Sequence, residues 1–243
     1  MASANREAGP ELGPIRPPSE STSLLLRVTR NCPWNRCAFC TVYKGQKFSR
    51  RTEDEVMADI DLMKASQDKV MAMAGLQNES DQLTWESCSH ILHDPACSET
   101  DKRIALWLFR GGEHVFLQDA DSLAIPSRRV ANILTHLARR FPRVNRITTY
   151  ARSRTLCAKS HQQLEELRAA GLTRIHVGVE SGAPEVLDLI DKGAKPEHHI
   201  EGCTRAIAAD FQVCCYVMPG LGGQRHTEAH ARETARVLKA INP

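Results

Sequence analysis

From residue 22 onward, short apolar runs alternate with amphipathic stretches of helical period, and that alternation restricts the fold more than anything else in the chain. The first run covers residues 23–29. Thr52-Glu53-Asp54-Glu55 then reads as a capping box, with Val56, Ile60 and Met63 as the apolar stripe of the helix it opens. A second run, His114–Gln118, leads to a helix from Ser127 with Val130, Ile133, Leu137 and Phe141 on one side. A third, 146–150, is followed by a capping box at Ser160 and Gln163 and a stop at Gly171. The fourth, 174–179, feeds a short helix after Pro184 that Gly193 ends, then a helix from Pro196 carrying Ile200, Cys203 and Ile207. The fifth, 211–218, precedes a last helix from Thr227 to about Ala240. Five strand–helix units in one direction predict an α/β fold with a parallel sheet, either doubly wound or a barrel.

Residues 66–113 break the rhythm, being too long for an ordinary connection and polar through 77–82. They read as an insertion holding one or two helices, the clearer at 101–109 and another near 83–92. Residues 1–21 carry Pro10, Pro14, Pro17 and Pro18 among charges and no apolar stretch, which predicts a disordered leader. Arg6 and Arg16, accompanied by Glu7, Glu11 and Glu20, make a poor transit peptide. The rest, 22–243, suits one globular domain in a chain of 243 residues that is 42% hydrophobic and 25% charged. A net charge of +3 with dispersed Lys and Arg gives no specific nucleic-acid signal, and nothing in the composition marks a membrane partner. Nine cysteines without a secretory signal predict a reducing compartment, hence a cytoplasmic protein whose thiols serve metal binding.

Three of those cysteines sit in one short loop after the first strand, Cys32-Pro33-Trp34-Asn35-Arg36-Cys37-Ala38-Phe39-Cys40. Three thiolates so close can hold a metal centre with one coordination position open. A structural zinc site wants four closed ligands, whereas a cubane iron–sulfur cluster tolerates three if something else takes the fourth iron. A zinc knuckle would need a distant partner, and the candidates are poor. His198-His199 and Cys214-Cys215 are adjacent pairs whose side chains diverge. Cys88 and Cys97 flank His90 and His93 in a spacing that fits no standard site and reads as a polar loop. Cys157, Cys203, Cys214 and Cys215 read as small buried hydrophobes.

The loop resembles the cluster loop of the radical SAM superfamily, which follows the first barrel strand and carries an aromatic residue before its third cysteine, the place of Phe39. This chain has four residues between its first two cysteines where the family has three. The resemblance spans about residues 24–241 and implies a partial (β/α) barrel of six strands. Five are counted, so the sixth is expected to be missing at the C-terminus of a truncated core. It also implies a [4Fe–4S] cluster on Cys32, Cys37 and Cys40, with S-adenosyl-L-methionine (SAM) cleaved reductively to a 5′-deoxyadenosyl radical. That radical would abstract hydrogen from an unidentified small-molecule or macromolecular substrate. A low-potential donor such as flavodoxin or ferredoxin would supply electrons, with Lys44, Lys47, Arg50 and Arg51 as either a docking patch or a solvated face. No catalytic residue beyond the cluster ligands is implied.

The implied SAM contacts lie on the loops after the strands. They are Phe39, then Tyr150 and Arg152 after the third strand, and Glu180 and Ser181 in Glu180-Ser181-Gly182, which resembles the family's strand-end segment. Met218 and Gly220 follow the fifth strand. Gly111-Gly112-Glu113 matches the family's Gly-Gly-Glu in letters but precedes the second strand; Asp119 and Asp121 stand at its far end instead. A zinc-stabilised binding module without catalysis and a truncated core without turnover remain the alternatives.

Overall fold

The computed structural model describes residues 9–78 and 81–243. In chain order the elements are β1 (Leu24–Arg27), β2 (Thr29–Arg30), β3 (Ser49–Arg50), α1 (Glu53–Met73), α2 (Trp85–His93), α3 (Glu99–Phe109) and β4 (His114–Gln118). There follow α4 (Ser127–Arg140), β5 (Arg146–Ala151), α5 (Ser153–Cys157), α6 (His161–Ala169), β6 (Leu172–Glu180), α7 (Pro184–Leu189), α8 (Pro196–Ala208), β7 (Gln212–Val217) and α9 (Thr227–Ile241). Five strands form one parallel sheet in the order β1-β4-β5-β6-β7, and β2 pairs antiparallel with β3 at its rim. The sheet stays open, with β1 and β7 as its edges, and is a partial (β/α) barrel. Among the described residues no helix is long and apolar enough to cross a membrane.

Strand periodicity divides the sheet into two faces. Val115 and Leu117 of β4, with Ile147, Ile175 and Val177, join the main core beneath the helices, where Val56, Ile60, Ile133, Leu137, Leu164 and Leu167 meet them. Phe116 points the other way and packs edge-on against Tyr150, ring centroids 5.2 Å apart. The Thr52–Glu55 and Ser160–Gln163 capping boxes form as expected and fix the starts of α1 and α6.

The stretch expected as an insertion from residue 66 begins later, because α1 runs on to Met73; α2 and α3 then fill it. Helical period turns Cys88 into the core while His90 and His93 stay exposed, and Cys97 is also buried, so this group does not converge on a metal. Gly111 and Gly112, both at positive φ, cap α3 by donating to Leu108 and Trp107. They lie at the amino end of β4, and Glu113 accepts from Asn145 there.

The N-terminal segment corrects the expectation of a disordered leader, apart from residues 1–8, which lie outside the described residues. Residues 9–21 are ordered against the helices and the sheet, with Gly9 beside Thr100 of α3 and Gly13 beside Gln118 and Asp119. Glu11 accepts from Arg27 and Arg30 and pairs with Arg51, and its own N–H donates to Asp59. The Gln118 amide answers the backbone of Gly13 and Ile15, as a neighbouring strand would. Glu20 is fully buried, accepting from Ser23 with Arg146 and Arg174 near it. The segment's carboxylates are thus held by fixed guanidiniums and its backbone by the Gln118 amide.

Two carboxylates follow β4. Asp119, fully buried and at φ 67°, accepts from Arg27 Nε at 2.8 Å, the Asn31 N–H at 2.9 Å and the Tyr43 hydroxyl at 3.0 Å, with Arg27 Nη2 at 2.7 Å. Asp121 is as deeply buried, but takes one side-chain hydrogen bond, from Thr155 at 2.5 Å, and its Oδ1 has no partner. Burial, against the weaker pull of Thr155 and Arg152, pushes its carboxyl up to about 6.

The two should behave oppositely in urea unfolding. Asp119→Ala takes one of two carboxylates from Arg27, which keeps Glu11, and leaves the Tyr43 hydroxyl and the Asn31 N–H without their acceptor, so it should lose about 2–3 kcal/mol. Asp121 carries a folded pKa above its ordinary 3.8, so ionisation costs stability as pH rises through that interval. The cost is absent below about pH 4 and complete above about pH 6, on the order of 2–3 kcal/mol. Asp121→Asn removes it and should be more stable than the parent at about pH 7.5 but not at about pH 4. Equal stability at the higher pH would contradict this account of Asp121.

Candidate cofactor site at the carboxyl ends of the strands

The loop from β2 to β3 carries Cys32, Cys37 and Cys40 to the mouth of a cavity of about 340 Å³. Asn31 and Asn35 take left-handed backbone conformations, which asparagine tolerates better than most residues. Asn35 absorbs the fourth residue between the first two cysteines: its N–H donates to the Cys32 sulfur at 3.4 Å and its amide to the Gln46 carbonyl at 2.9 Å. The far side of the loop docks on residues 190–193. Ala38 N–H donates to the Ile190 carbonyl, the Trp34 indole N–H to that of Asp191, and Arg36 pairs with the Asp191 carboxylate. Gly193, at φ 65°, lies flat beneath the Trp34 ring, where a Cβ would collide. Arg152 covers the ring at 5.0 Å and Arg36 at 4.8 Å.

Around the cavity, every parallel strand after β1 contributes residues from its carboxyl end: Ala120 after β4, Tyr150, Ala151 and Arg152 from β5, His176, Gly178 and Glu180 from β6, Tyr216, Val217 and Met218 from β7. Lys192 reaches over Gly178 to pair with Glu180 at 3.0 Å, and its ammonium stands 5.9 Å above the Phe39 ring. A Cβ on Gly178 would run into both members of that pair. Glu180 sits at φ 64° beside a register shift in the β6–β7 ladder, a local strain that turns its carboxylate over the strand end. Deeper in, the Tyr216 hydroxyl and His176 Nδ1 are 2.8 Å apart, and Tyr150 packs edge-on against His176. Burial holds His176 below the usual imidazole range, so the ring is neutral at neutral pH. Burial raises the Cys37 thiol, and Lys192 works against that rise.

Of the residues expected from sequence, the structure brings together at this cavity Cys32, Cys37, Cys40, Phe39, Tyr150, Arg152, Glu180 and Met218. Four others stand elsewhere. Asp119 and Asp121 are buried behind Ala120 in the contacts described above. Ser181 is buried against His230 of α9 and accepts from the Ala183 N–H at the start of α7. Gly220, at φ 80°, belongs to the turn beyond Met218 and lies outside the lining. The basic patch divides as well. Lys44, Lys47 and Arg50 are exposed or nearly so, while Arg51 is buried and paired with Asp59.

Tyr43, His176, Lys192, Tyr216 and Ile15 escaped the sequence reading as site residues. A signal existed for some of them. His176, Gly178 and Glu180, and then Tyr216 and Met218, recur every second residue along strands whose alternate positions are apolar. Ile15 carried none, since nothing in the sequence places the N-terminal segment at this cavity.

A family model for the radical SAM superfamily matches residues 98–237, more than half of the chain, in a span that begins after the cysteine loop. A search of curated protein sequences finds no match. Among solved structures, the cobalamin-dependent S-adenosylmethionine radical enzyme OxsB superposes with a TM-score of 0.57 at 17% identity, over 89% of this chain and 26% of that one. The radical S-adenosylmethionine methyltransferase TsrM from Kitasatospora setae superposes with a TM-score of 0.55 at 15% identity, over 90% and 35%. Methylornithine synthase PylB gives 0.52 at 14% identity, over 91% and 50%. The chain thus spans between about a quarter and a half of the length of these structures, and the likeness is one of fold. By its family match, the chain belongs to the radical SAM superfamily.

Proposed function

We propose that Cys32, Cys37 and Cys40 ligate a [4Fe–4S] cluster and that SAM binds in the adjoining cavity, making the chain the core of a radical SAM enzyme. The observation that carries this reading is the convergence of one loop's three cysteines on a cavity ringed by the carboxyl ends of parallel strands. The donor set fits the group: soft sulfur ligands, three in number, on one loop at the cavity mouth. A single structural zinc ion closes on four protein ligands, and this loop supplies three. When bound, the cluster supplies the electron that splits SAM into methionine and a 5′-deoxyadenosyl radical, which takes hydrogen from a substrate.

The chain's own residues bind and orient. Arg152, fixed by its bond to the Lys192 carbonyl at 3.1 Å and by the Trp34 ring, presents a planar cation beside the cysteines. Glu180 and Lys192 offer one charge of each sign at the same rim, the complement of an amino-acid zwitterion. Tyr150 and Tyr216 supply flat surface below, and their hydroxyls, like the neutral His176, bring no charge into the chamber. The Lys44, Lys47 and Arg50 face beside the loop is the place for an acidic electron donor.

Anaerobic reconstitution with iron and sulfide tests the ligand set. Cys37→Ala should lose the cluster, and Cys203→Ala, buried in the core away from this cavity, should keep it. Equal iron and sulfide in both variants would sink the assignment. Gly178→Ala should keep the cluster yet displace the Glu180–Lys192 pair, weakening SAM binding about tenfold or more by calorimetry. Unchanged affinity would remove that pair from the cofactor site.

A further inference from the structure

A second cavity has no part in the site above. It measures about 610 Å³, shares no lining residue with the cofactor cavity, and is separated from it by the N-terminal segment, whose Leu12 and Arg16 face one cavity while Ile15 faces the other. Its walls are mostly apolar, Leu12, Leu24, Leu25, Met63, Ile104 and Trp107 among them, with a few serine and threonine residues between. The Trp107 indole N–H is spent on the His114 carbonyl at 2.9 Å, so the ring offers carbon to the interior. The charged side chains of the lining are all of one sign. Arg16, Arg103 and Arg110 are exposed, and none of the lining residues is acidic. Most of the chain's other arginines have found carboxylates, including Arg27, Arg30, Arg51, Arg128 and Arg168. Arg16 and Arg103 have no carboxylate partner among the described residues.

A half-open, largely apolar volume of ligand size, rimmed by guanidiniums and with no carboxylate in its lining, selects against cations. It suits an anionic head held by guanidinium forks above an apolar body. We infer that this cavity, bounded by the N-terminal segment, β1 and α3, binds a free amphiphilic carboxylate with an alkyl chain as long as the cavity allows. The site does not depend on the iron–sulfur cluster, so its test stands apart from the radical SAM reading.

Calorimetric titration of the full chain with dodecanoate, below its micelle concentration, tests the inference. Saturable binding at one site per chain is expected, with no binding of dodecyltrimethylammonium, which has the same tail and the opposite charge. The double variant Arg16→Glu, Arg103→Glu changes only exposed side chains and should bind dodecanoate at least tenfold more weakly while melting like the parent. A second variant, Leu25→Trp, fills the cavity from β1 and should also weaken binding, with both arginines intact. Absence of saturable binding, equal affinity in the charge-reversed variant, or equal binding of the cation would overturn the inference. So would retention on phosphatidylglycerol vesicles without binding of free dodecanoate, which would make the basic rim a membrane contact instead.

Discussion

The buried carboxylate of Asp119 is the point from which the functional end of this molecule is built. It closes β4, yet its partners come from three other places: Arg27 at the end of β1, the backbone of Asn31 at the entry to the cysteine loop, and Tyr43 just past that loop's last cysteine. Gly13 of the N-terminal segment lies so near that a Cβ there would press on the same carboxylate. One charge thus sets the spacing of two strands, both ends of the cysteine loop and the path of the N-terminal segment. A buried carboxylate unpaired would be costly, and the four contacts turn that liability into register.

The opposite side of the cysteine loop is held by a different device. Trp34, Arg36 and Ala38 are fastened to residues 190–193, and the Lys192 between those anchors is the residue that reaches back to Glu180. The loop is therefore clamped between the β4 end and the segment after α7, with its three cysteines facing the gap. Strain collects at the same place. Glu180 takes a left-handed conformation that costs on the order of 1–3 kcal/mol, and it persists because the register shift and the Lys192 pair hold it. The helices on the other face form an ordinary apolar core that carries stability.

Much of this could be read from sequence, for reasons that differ by element. The five parallel strands and the capped helices announced themselves because their signals are local: period two, period 3.6, and Ser or Thr followed three residues later by Glu or Gln. The position of Gly111-Gly112-Glu113 at the wrong end of β4 followed from the same local logic. The cysteine loop stood out because three cysteines fall within nine residues, and the fold carries all three to the cavity mouth. What failed was long-range. Asp119 and Asp121 stand at the correct end of their strand, but whether such a carboxylate faces the cavity or turns inward depends on Arg27, Tyr43 and Thr155, which lie far off in the chain. Ser181 was drawn inward by His230 from α9 in the same way. The proline-bearing N-terminal segment looked unstructured because its partners, Arg27, Arg30, Gln118 and Arg146, belong to strands that only the folded sheet brings within reach.

Electron paramagnetic resonance of the anaerobically reconstituted and reduced chain, recorded before and after adding SAM, addresses the cysteine site directly. The account predicts the signal of a reduced [4Fe–4S] cluster, with one iron open to a ligand. SAM should therefore shift that signal, and 5′-deoxyadenosine should accumulate on further reduction. A colourless protein that retains zinc through reconstitution would contradict it. So would a cubane signal indifferent to SAM, because the open iron and the neighbouring cavity are the features on which the reading rests.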